Sequence, residues 1–151
     1  MKKLFFLFFV LFFCGCSNKN LVHEHCIRNG TGNGFSTDLE YDIYYQDDIL
    51  VKLESYESVL SEDKDILDTY YDAYHNIHNQ YKDLDYYETK LERNDYSVTS
   101  TMIIEYNKID IDKLIQIEGE EDNIFENKIP LASKWKSFAK KVGTSCSVVE
   151  K

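Results

Sequence analysis

Four histidines form two closely spaced pairs, and imidazole pairs of this kind can bind a metal ion. His23 and His25 lie two residues apart, so both rings would face the same side of a β-strand. His75 and His78 lie three residues apart, a spacing that brings two side chains together on a helix. A zinc site needs three or four ligands, and neither pair supplies a third. We therefore predict solvated histidines and no bound metal, with a zinc site built from the four histidines as the alternative.

A cysteine at the end of a short apolar run predicts covalent attachment of lipid. Lys2 and Lys3 precede ten uninterrupted apolar residues, Leu4 to Phe13, whereas a helix needs roughly 20 to cross a bilayer. A basic start and a short apolar segment that ends near small residues are typical of an export signal. Residues 11–16, LFFCGC, resemble the bacterial lipobox, in which the last cysteine, here Cys16, receives a diacylglyceryl group. Two acyl chains give a durable anchor where one is marginal.

Cleavage before Cys16 would divide the chain into three parts. These are a signal peptide at 1–15, a lipid-anchored tether at 16–22 and a single domain at 23–151. Removing 15 of 151 residues leaves 136, enough for one domain. The leader holds two of the 17 basic residues and none of the 27 acidic ones, so the mature charge is −12. Because such a surface repels nucleic acid, we expect no nucleic-acid partner. An ordinary secretory signal with incidental cysteines is the alternative.

Two cysteines remain in the mature domain, Cys26 near its start and Cys146 near its end. An exported protein enters an oxidising compartment, where an even pair of thiols favours a disulfide bond. We therefore predict that Cys26 and Cys146 are bonded. Two unlinked thiols are one alternative. A catalytic Cys26 flanked by His23 and His25 is another, but no orienting partner for such a nucleophile is visible in the sequence.

Alternation of apolar and polar residues predicts five strands. Residues 35–45 alternate with period two, with Tyr41 among the apolar residues that share one face. Residues 49–59 follow across a short acidic turn as a hairpin partner. Residues 23–28 form a candidate first strand, followed by a flexible glycine-rich connection at 29–34. Residues 85–93 and 96–106 form a second hairpin. One polar face on such strands is typical of an antiparallel sheet.

Apolar residues three and four apart predict helices between and after these strands. The first follows Ser61, its predicted cap. Its predicted apolar stripe consists of Ile66, Tyr70, Ala73, Tyr74, Ile77, Tyr81 and Leu84. A short helix at 112–117 and a final one from Pro130 to Val142 come later. The order βββ-α-ββ-α-α predicts an α+β fold, with the helices packed on one face of an antiparallel sheet.

Neither the motifs nor the acidic segments indicate an enzyme. The patterns G-x-S-x-G, H-E-x-x-H and G-x-x-x-x-G-K-[ST] are absent from the sequence. We expect no catalytic residues and no cofactor. Tyrosine is enriched, with 12 residues. Tyr44, Tyr71 and Tyr87 are predicted to lie opposite the buried faces, where exposed rings would suit a recognition surface. Incidental tyrosines half-covered by neighbouring side chains are the alternative.

The order of elements and the placement of the cysteines resemble the YehR-like bacterial lipoproteins, a family without an assigned reaction. The matching segments are HEHCIRNG, YDIYYQDDILVKLESYES, DTYYDAYHNIHNQY, SVTSTMIIEYNKIDIDKL and KVGTSC, together with Cys16. The resemblance covers nearly all of the mature chain. It implies a membrane-tethered α+β domain with a disulfide between its ends, and it supplies no catalytic residues.

Together these observations predict a lipoprotein of unknown biochemical role on the extracytoplasmic face of the cell membrane. Its membrane partner would be the bilayer, through the diacylglyceryl group on Cys16. A non-enzymatic binding or structural role is expected, with an unidentified cell-wall or protein partner. The alternatives are a zinc-binding lipoprotein that uses the surface histidines and an enzyme that acts on the cell wall.

Overall fold

A computed structural model describes residues 20–117 and 124–150. The predicted signal peptide and Cys16 lie outside the described residues, as does the acidic segment 118–123. No helix in the described ranges is both long and apolar enough to cross a bilayer. The elements are β1 (Val22–Gly32), β2 (Phe35–Gln46), β3 (Ile49–Ser61), α1 (Lys64–Tyr81), β4 (Tyr87–Arg93), β5 (Ser97–Ile104), α2 (Ile111–Ile115), β6 (Phe125–Glu126), β7 (Ile129–Pro130), α3 (Ala132–Lys141) and β8 (Ser145–Val148).

Six strands form one antiparallel sheet in the order β4-β5-β3-β2-β1-β8, and β6 and β7 form a small separate hairpin. This arrangement confirms the predicted α+β class and antiparallel sheet. The last strand was not predicted: β8 returns after α3 to pair with β1 at the sheet edge. The final helix also begins later than expected, because Pro130 lies in β7 and α3 starts at Ala132.

The first hairpin is longer than the sequence indicated. Residues 29–32, predicted as a flexible connection, continue β1, and only Asn33 and Gly34 form the turn. Gly32 pairs with Phe35, and the phenyl ring of Phe35 occupies the space that a side chain at Gly32 would need. Gly32 therefore permits close cross-strand packing, and the glycine enrichment that predicted a flexible connection belongs largely to a strand.

Helix α1 is capped by Asp63 and not by the predicted Ser61. The Asp63 side chain accepts a hydrogen bond from the backbone N–H of Asp65 at 2.9 Å. Ser61 ends β3, and its hydroxyl donates to the carbonyl of Gly34 at 2.6 Å. The predicted apolar stripe of α1 is also only partly buried, since Tyr81 is buried while Ala73 and Ile77 are exposed. Leu67, outside the predicted stripe, is fully buried.

The core lies on one face of the sheet. Tyr70 of α1 packs on Phe35 of β2, and Trp135 of α3 packs edge-on against Tyr41 of the same strand. Phe35 and Tyr41 are an even number of residues apart, so these contacts place both helices on the same side. The fully buried side chains beneath and between the elements include Ile43, Leu50, Leu67, Leu114, Val59, Val98 and Cys26.

Candidate functional site

The sulfurs of Cys26 and Cys146 lie 2.12 Å apart, at bonding distance. The two residues are direct partners in the β1–β8 ladder, so the last strand brings the ends of the domain together. Cys26 is completely buried. With its sulfur bonded, Cys26 offers no free thiol for the catalytic alternative.

Beside the two cysteines lies an ion pair between the buried Glu24 and the half-buried Lys136, which the sequence did not indicate. Glu24 accepts hydrogen bonds from the Lys136 ammonium at 2.9 Å and from the Tyr45 hydroxyl at 2.5 Å. Burial opposes ionisation of Glu24, but these two donors outweigh it, and its pKa lies below the ordinary value. Burial likewise opposes the charge on Lys136, yet the carboxylate raises its pKa. The pair stays ionised and joins α3 to β1.

A groove of about 480 Å³ lies on the helix-covered face of the sheet, between α1 and the end of α3. Its floor comes from β1, β2 and β3, and its walls come from Tyr70 and Tyr74 on one side and Val142 and Gly143 on the other. We call this feature the tyrosine groove. Its lining residues are Arg28, Asn29, Gly30, Thr31, Phe35, Thr37, Leu39, Glu57, Tyr70, Tyr74, Val142 and Gly143.

Glu57 organises the floor of the tyrosine groove. Its carboxylate accepts a hydrogen bond from Tyr41 at 3.0 Å and another from Tyr74. Burial and the nearby charge of Glu57 raise the pKa of both phenols, so their hydroxyls stay protonated and act as donors. Because both phenols donate their one proton to Glu57, they hold this carboxylate in place and can accept hydrogen bonds from a ligand, while the aromatic faces of the groove suit a ligand that also has an apolar side.

Arg28 lies between the tyrosine groove and a smaller recess of about 170 Å³ lined by Tyr41, Trp135 and Phe138. The Arg28 guanidinium donates to the carbonyl of Val142 at 3.3 Å. A guanidinium has five N–H donors in a planar fork. Arg28 is therefore placed to pair with a carboxylate on a ligand that enters either space.

The two histidine pairs do not converge. His23 and His25 lie on β1 and face away from the helices, where Nε2 of His23 and Nδ1 of His25 are 2.6 Å and 3.2 Å from Oδ1 of Asp42. His75 is exposed on α1. His78 was predicted on the polar side of this helix, but its Nε2 is 2.9 Å from the Ser100 hydroxyl of β5. The structure therefore does not bring together the four histidines of the alternative zinc site.

The three candidate recognition tyrosines have different surroundings. Tyr44 is half-buried on the open face and stacks on His23 with ring centroids 4.4 Å apart. Tyr71 is half-buried on α1 and stacks on His75. Tyr87 packs against the core with its ring 4.4 Å from Tyr81, so its predicted exposure is wrong. A residue at the start of β4 faces the helices because that strand pairs Tyr87 with the buried Ile104.

The sequence had assigned Tyr70, Tyr74 and Tyr41 to buried stripes and so missed the tyrosine groove. Periodicity gives the side of a helix or strand that faces the protein, but it cannot show where two elements leave a gap. The isolated carboxylate of Glu57 on the apolar face of β3 was the available signal. Glu57 is half-buried there, and two tyrosines donate hydrogen bonds to its carboxylate.

Comparison with solved structures identifies the fold. The NMR structure of the YehR protein of E. coli matches with a TM-score of 0.57 and 20% identity, over 85% of this chain and 94% of that chain. An NMR structure of a protein from Streptococcus pneumoniae TIGR4 matches with a TM-score of 0.53 and 16% identity, over 97% of each chain. No protein-family model matches the chain, and its sequence matches no curated relative. The structural similarity confirms the predicted YehR-like fold.

Proposed function

We propose that this chain is a lipid-anchored extracytoplasmic binding protein that takes its ligand in the tyrosine groove. The binding role is inferred from the tyrosine groove itself. Protonated tyrosines donate to Glu57 in its floor, and Arg28 lies between the groove and the smaller recess. The anchoring role rests on the lipobox-like LFFCGC and on a cysteine pair at bonding distance, which suits an oxidising compartment.

The short length of the predicted tether supports a groove that is open to the cell exterior. Five residues separate Cys16 from Val22, the first residue of β1, and they reach about 17 Å when extended. This end of β1 would therefore lie near the headgroups. Arg28 to Thr31 line the groove at the other end of the strand, about 20 to 30 Å further along at the usual rise per residue.

The lining chemistry favours a ligand with a saccharide or peptide backbone and a carboxylate. The rings of Phe35 and Tyr70, with centroids 5.4 Å apart, offer apolar faces, and Arg28 offers a fork for an anion. Peptidoglycan fragments combine these features, since they carry sugar rings and peptide carboxylates. We therefore propose muropeptides as the ligand class.

The residues that line the tyrosine groove fit a role in binding without catalysis. Glycoside hydrolysis uses two carboxyl groups that flank the scissile bond, and Glu57 is the single carboxylate among the residues that line the groove in the described part of the chain. Its oxygens already accept hydrogen bonds from Tyr41 and Tyr74. The groove residues are thus arranged to position a ligand.

The test is a calorimetric titration of purified muropeptides into the full mature protein in detergent. Arg28→Gln should weaken binding at least tenfold, because it removes the anion fork. Tyr70→Leu should also weaken binding, since it removes one aromatic face. Tyr71→Leu, one residue away on the same helix and absent from the groove lining, is the matched control and should bind like the wild type.

Two results would contradict the proposal. Absence of muropeptide binding by the wild type would reject this ligand class. An equal loss of muropeptide affinity in the Tyr71 and Tyr70 variants would show that the ligand does not bind in the tyrosine groove. Mass spectrometry of the recovered muropeptides should show them unchanged. New products that depend on Glu57 would instead indicate an enzyme.

A further inference from the structure

The outer side of β1 is only partly covered by a neighbouring strand. In an antiparallel ladder, the N–H and C=O of one residue point to the same side, and this side alternates along the strand. The carbonyl of His23 accepts a hydrogen bond from the N–H of Val149 at 2.9 Å, just beyond the end of β8. The odd-numbered residues of β1 therefore direct their main-chain groups towards the side of β8. Asn29 and Thr31 belong to this set.

The pairing of β8 with β1 ends before it reaches these two residues. Ser145, the first residue of β8, lies opposite Ile27. No strand in the described ranges pairs with β1 beyond that point on this side. The chain before Ser145 turns away to join α3 at Gly143, which has a φ of 86°. The N–H and C=O groups of Asn29 and Thr31 are thus left as an open edge of the sheet, which we call the β1 edge.

The opposite edge of the sheet is protected by charge, and the β1 edge is not. The opposite edge is β4, where four of seven residues are charged, namely Glu88, Lys90, Glu92 and Arg93. Charged side chains on an edge strand discourage pairing with another chain. Residues 29–32 of β1 have the sequence NGTG, without charge, and Asn29, Thr31 and Gly32 are exposed. The β1 edge is therefore open to an added strand.

A strand added at the β1 edge would lie beside the tyrosine groove. Gly30 lines this groove, and directly opposite residues of neighbouring strands project their side chains to the same face of a sheet. The residue paired opposite Gly30 would therefore place its side chain at the border of the groove, where β1 itself has none. An apolar side chain suits this position, because the rings of Phe35 and Tyr70 line the same groove.

Arg28 and the end of α3 define the direction of the added strand. A strand in line with β8 would run antiparallel to β1 and would approach Ser145 with its carboxyl end. Because Ser145 and Gly143 occupy the space beyond, the added strand must end there. The Arg28 guanidinium lies at this point, where it donates to the carbonyl of Val142 at 3.3 Å, and it forms no ion pair within residues 20–117 and 124–150. A terminal carboxylate would provide its counter-ion.

We propose that the β1 edge binds the C-terminal segment of a partner protein as an added antiparallel strand, with the terminal carboxylate at Arg28. Main-chain hydrogen bonds to Asn29 and Thr31 supply affinity in this mode of recognition, and the side chain opposite Gly30 supplies specificity. The proposal does not rest on muropeptides as the groove ligand, since its hydrogen bonds come from the backbone of β1.

The experiment begins with a synthetic library of N-acetylated hexapeptides with free C-terminal carboxylates, screened against the full mature protein in detergent. Calorimetry then measures the affinity of the tightest peptide. Thr31→Pro removes an outward N–H and leaves the pairing with β2 intact, so it should weaken binding by at least about tenfold. Thr31→Ala keeps this N–H, and as the matched control it should bind like the wild type. Amidation of the peptide carboxylate should also weaken binding, because it removes the counter-ion of Arg28.

A second measurement locates the peptide without any substitution, so it also decides the case in which the proline variant does not fold. By NMR, bound peptide should slow hydrogen exchange at the N–H groups of Asn29 and Thr31 in the wild type. Thr89 and Leu91 direct their N–H groups outwards from β4 at the opposite edge. Exchange at these two residues is the control and should not change.

Four results would overturn the proposal. They are the absence of any bound peptide in the library, equal affinities of Thr31→Pro and Thr31→Ala, slowed exchange at Thr89 and Leu91 in place of Asn29 and Thr31, and dimers of the free protein that Thr31→Pro abolishes. The last result would mean that a second copy of this chain occupies the β1 edge.

Discussion

The carboxylate of Asp48 caps a helix that begins more than 80 residues later in the chain. Its two oxygens accept hydrogen bonds from the backbone N–H and the hydroxyl of Ser133, at 2.7 Å and 2.6 Å. The Asp48 carbonyl accepts a third from the N–H of Ala132 at 2.8 Å. Leu131, the residue at the N-cap position of α3, provides no side-chain hydrogen bond. The β2–β3 turn therefore supplies the cap that α3 lacks.

Removal of this cap should destabilise the domain by about 1 kcal/mol. Asp48 has a φ of 69°, so Asp48→Gly removes the carboxylate while it suits the backbone conformation. Asp48→Asn keeps one acceptor oxygen and tolerates the same φ, so it should lose less stability than Asp48→Gly. Urea unfolding measures both. Equal stability of the glycine variant and the wild type would mean that the hydrogen bonds from Ser133 contribute nothing.

His78 should make the domain less stable in mild acid. Its burial between α1 and β5, with a smaller contribution from His75, holds its pKa below the ordinary value. The unfolded chain therefore binds more protons as the pH falls below about 6.5. The stability that neutral His78 contributes is fully present above about pH 6.5. It is lost progressively as the pH falls from there through the lower pKa of His78 in the folded protein.

The measurement is the free energy of unfolding at pH 7.5 and at pH 5 for the wild type and for His78→Gln. The glutamine variant should lose less stability between the two pH values. His75→Gln should keep most of the wild-type loss, because burial is the main cause of the shift. An equal loss in the wild type and the His78 variant would contradict this account.

Trp135 should contribute less to the free energy of unfolding than a fully buried tryptophan would. It is half-buried, with its ring 5.5 Å from that of Tyr41. We expect Trp135→Ala to lower the free energy of unfolding by about 2 to 3 kcal/mol, below the usual range for a buried aromatic residue. Phe138→Ala, at a position 49% exposed on the same helix, should cost less than about 1 kcal/mol. If the two variants lose the same stability, α3 does not pack on the sheet through Trp135.

Loss of the bond between Cys26 and Cys146 should strongly destabilise the domain. Their separation of 120 residues corresponds to about 4 to 5 kcal/mol on the loop-entropy model. Non-reducing peptide maps should show the two peptides linked, and reductant should lower the wild type to the stability of a Cys26→Ala, Cys146→Ala variant. Free thiols at both positions in the native protein would refute this prediction.

The sequence predicted those parts of the fold that depend on local pattern. Period-two alternation located the strands at 35–45 and 49–59, which the structure has as β2 and β3. The C-terminal strand β8 was missed because it has only four residues, which is at the lower limit for recognising a strand by alternation. Pro130 was assigned to a helix because proline favours a first helical position. In the structure it instead pairs with Phe125 in the small β6–β7 hairpin.

The candidate sites depend on register and on packing between elements, which local pattern does not contain. Asp42 contacts His23 and His25 only because the pairing of β1 with β2 places it beside them. Glu57 becomes the floor of a groove only because Tyr41 and Tyr74, from two different elements, donate to it. His78 was placed with the polar residues because its own helix gives no sign of Ser100 on a neighbouring strand.

The central claim is that Cys16 carries lipid and holds the folded domain outside the membrane. Intact-mass measurement of the native protein, purified from membranes, tests it most directly. The account predicts a chain that begins at Cys16 and is heavier than its amino-acid sequence by a diacylglyceryl group, and a Cys16→Ala variant that loses both the added mass and membrane fractionation. An uncut leader, or a mature chain without acyl mass, would contradict the claim.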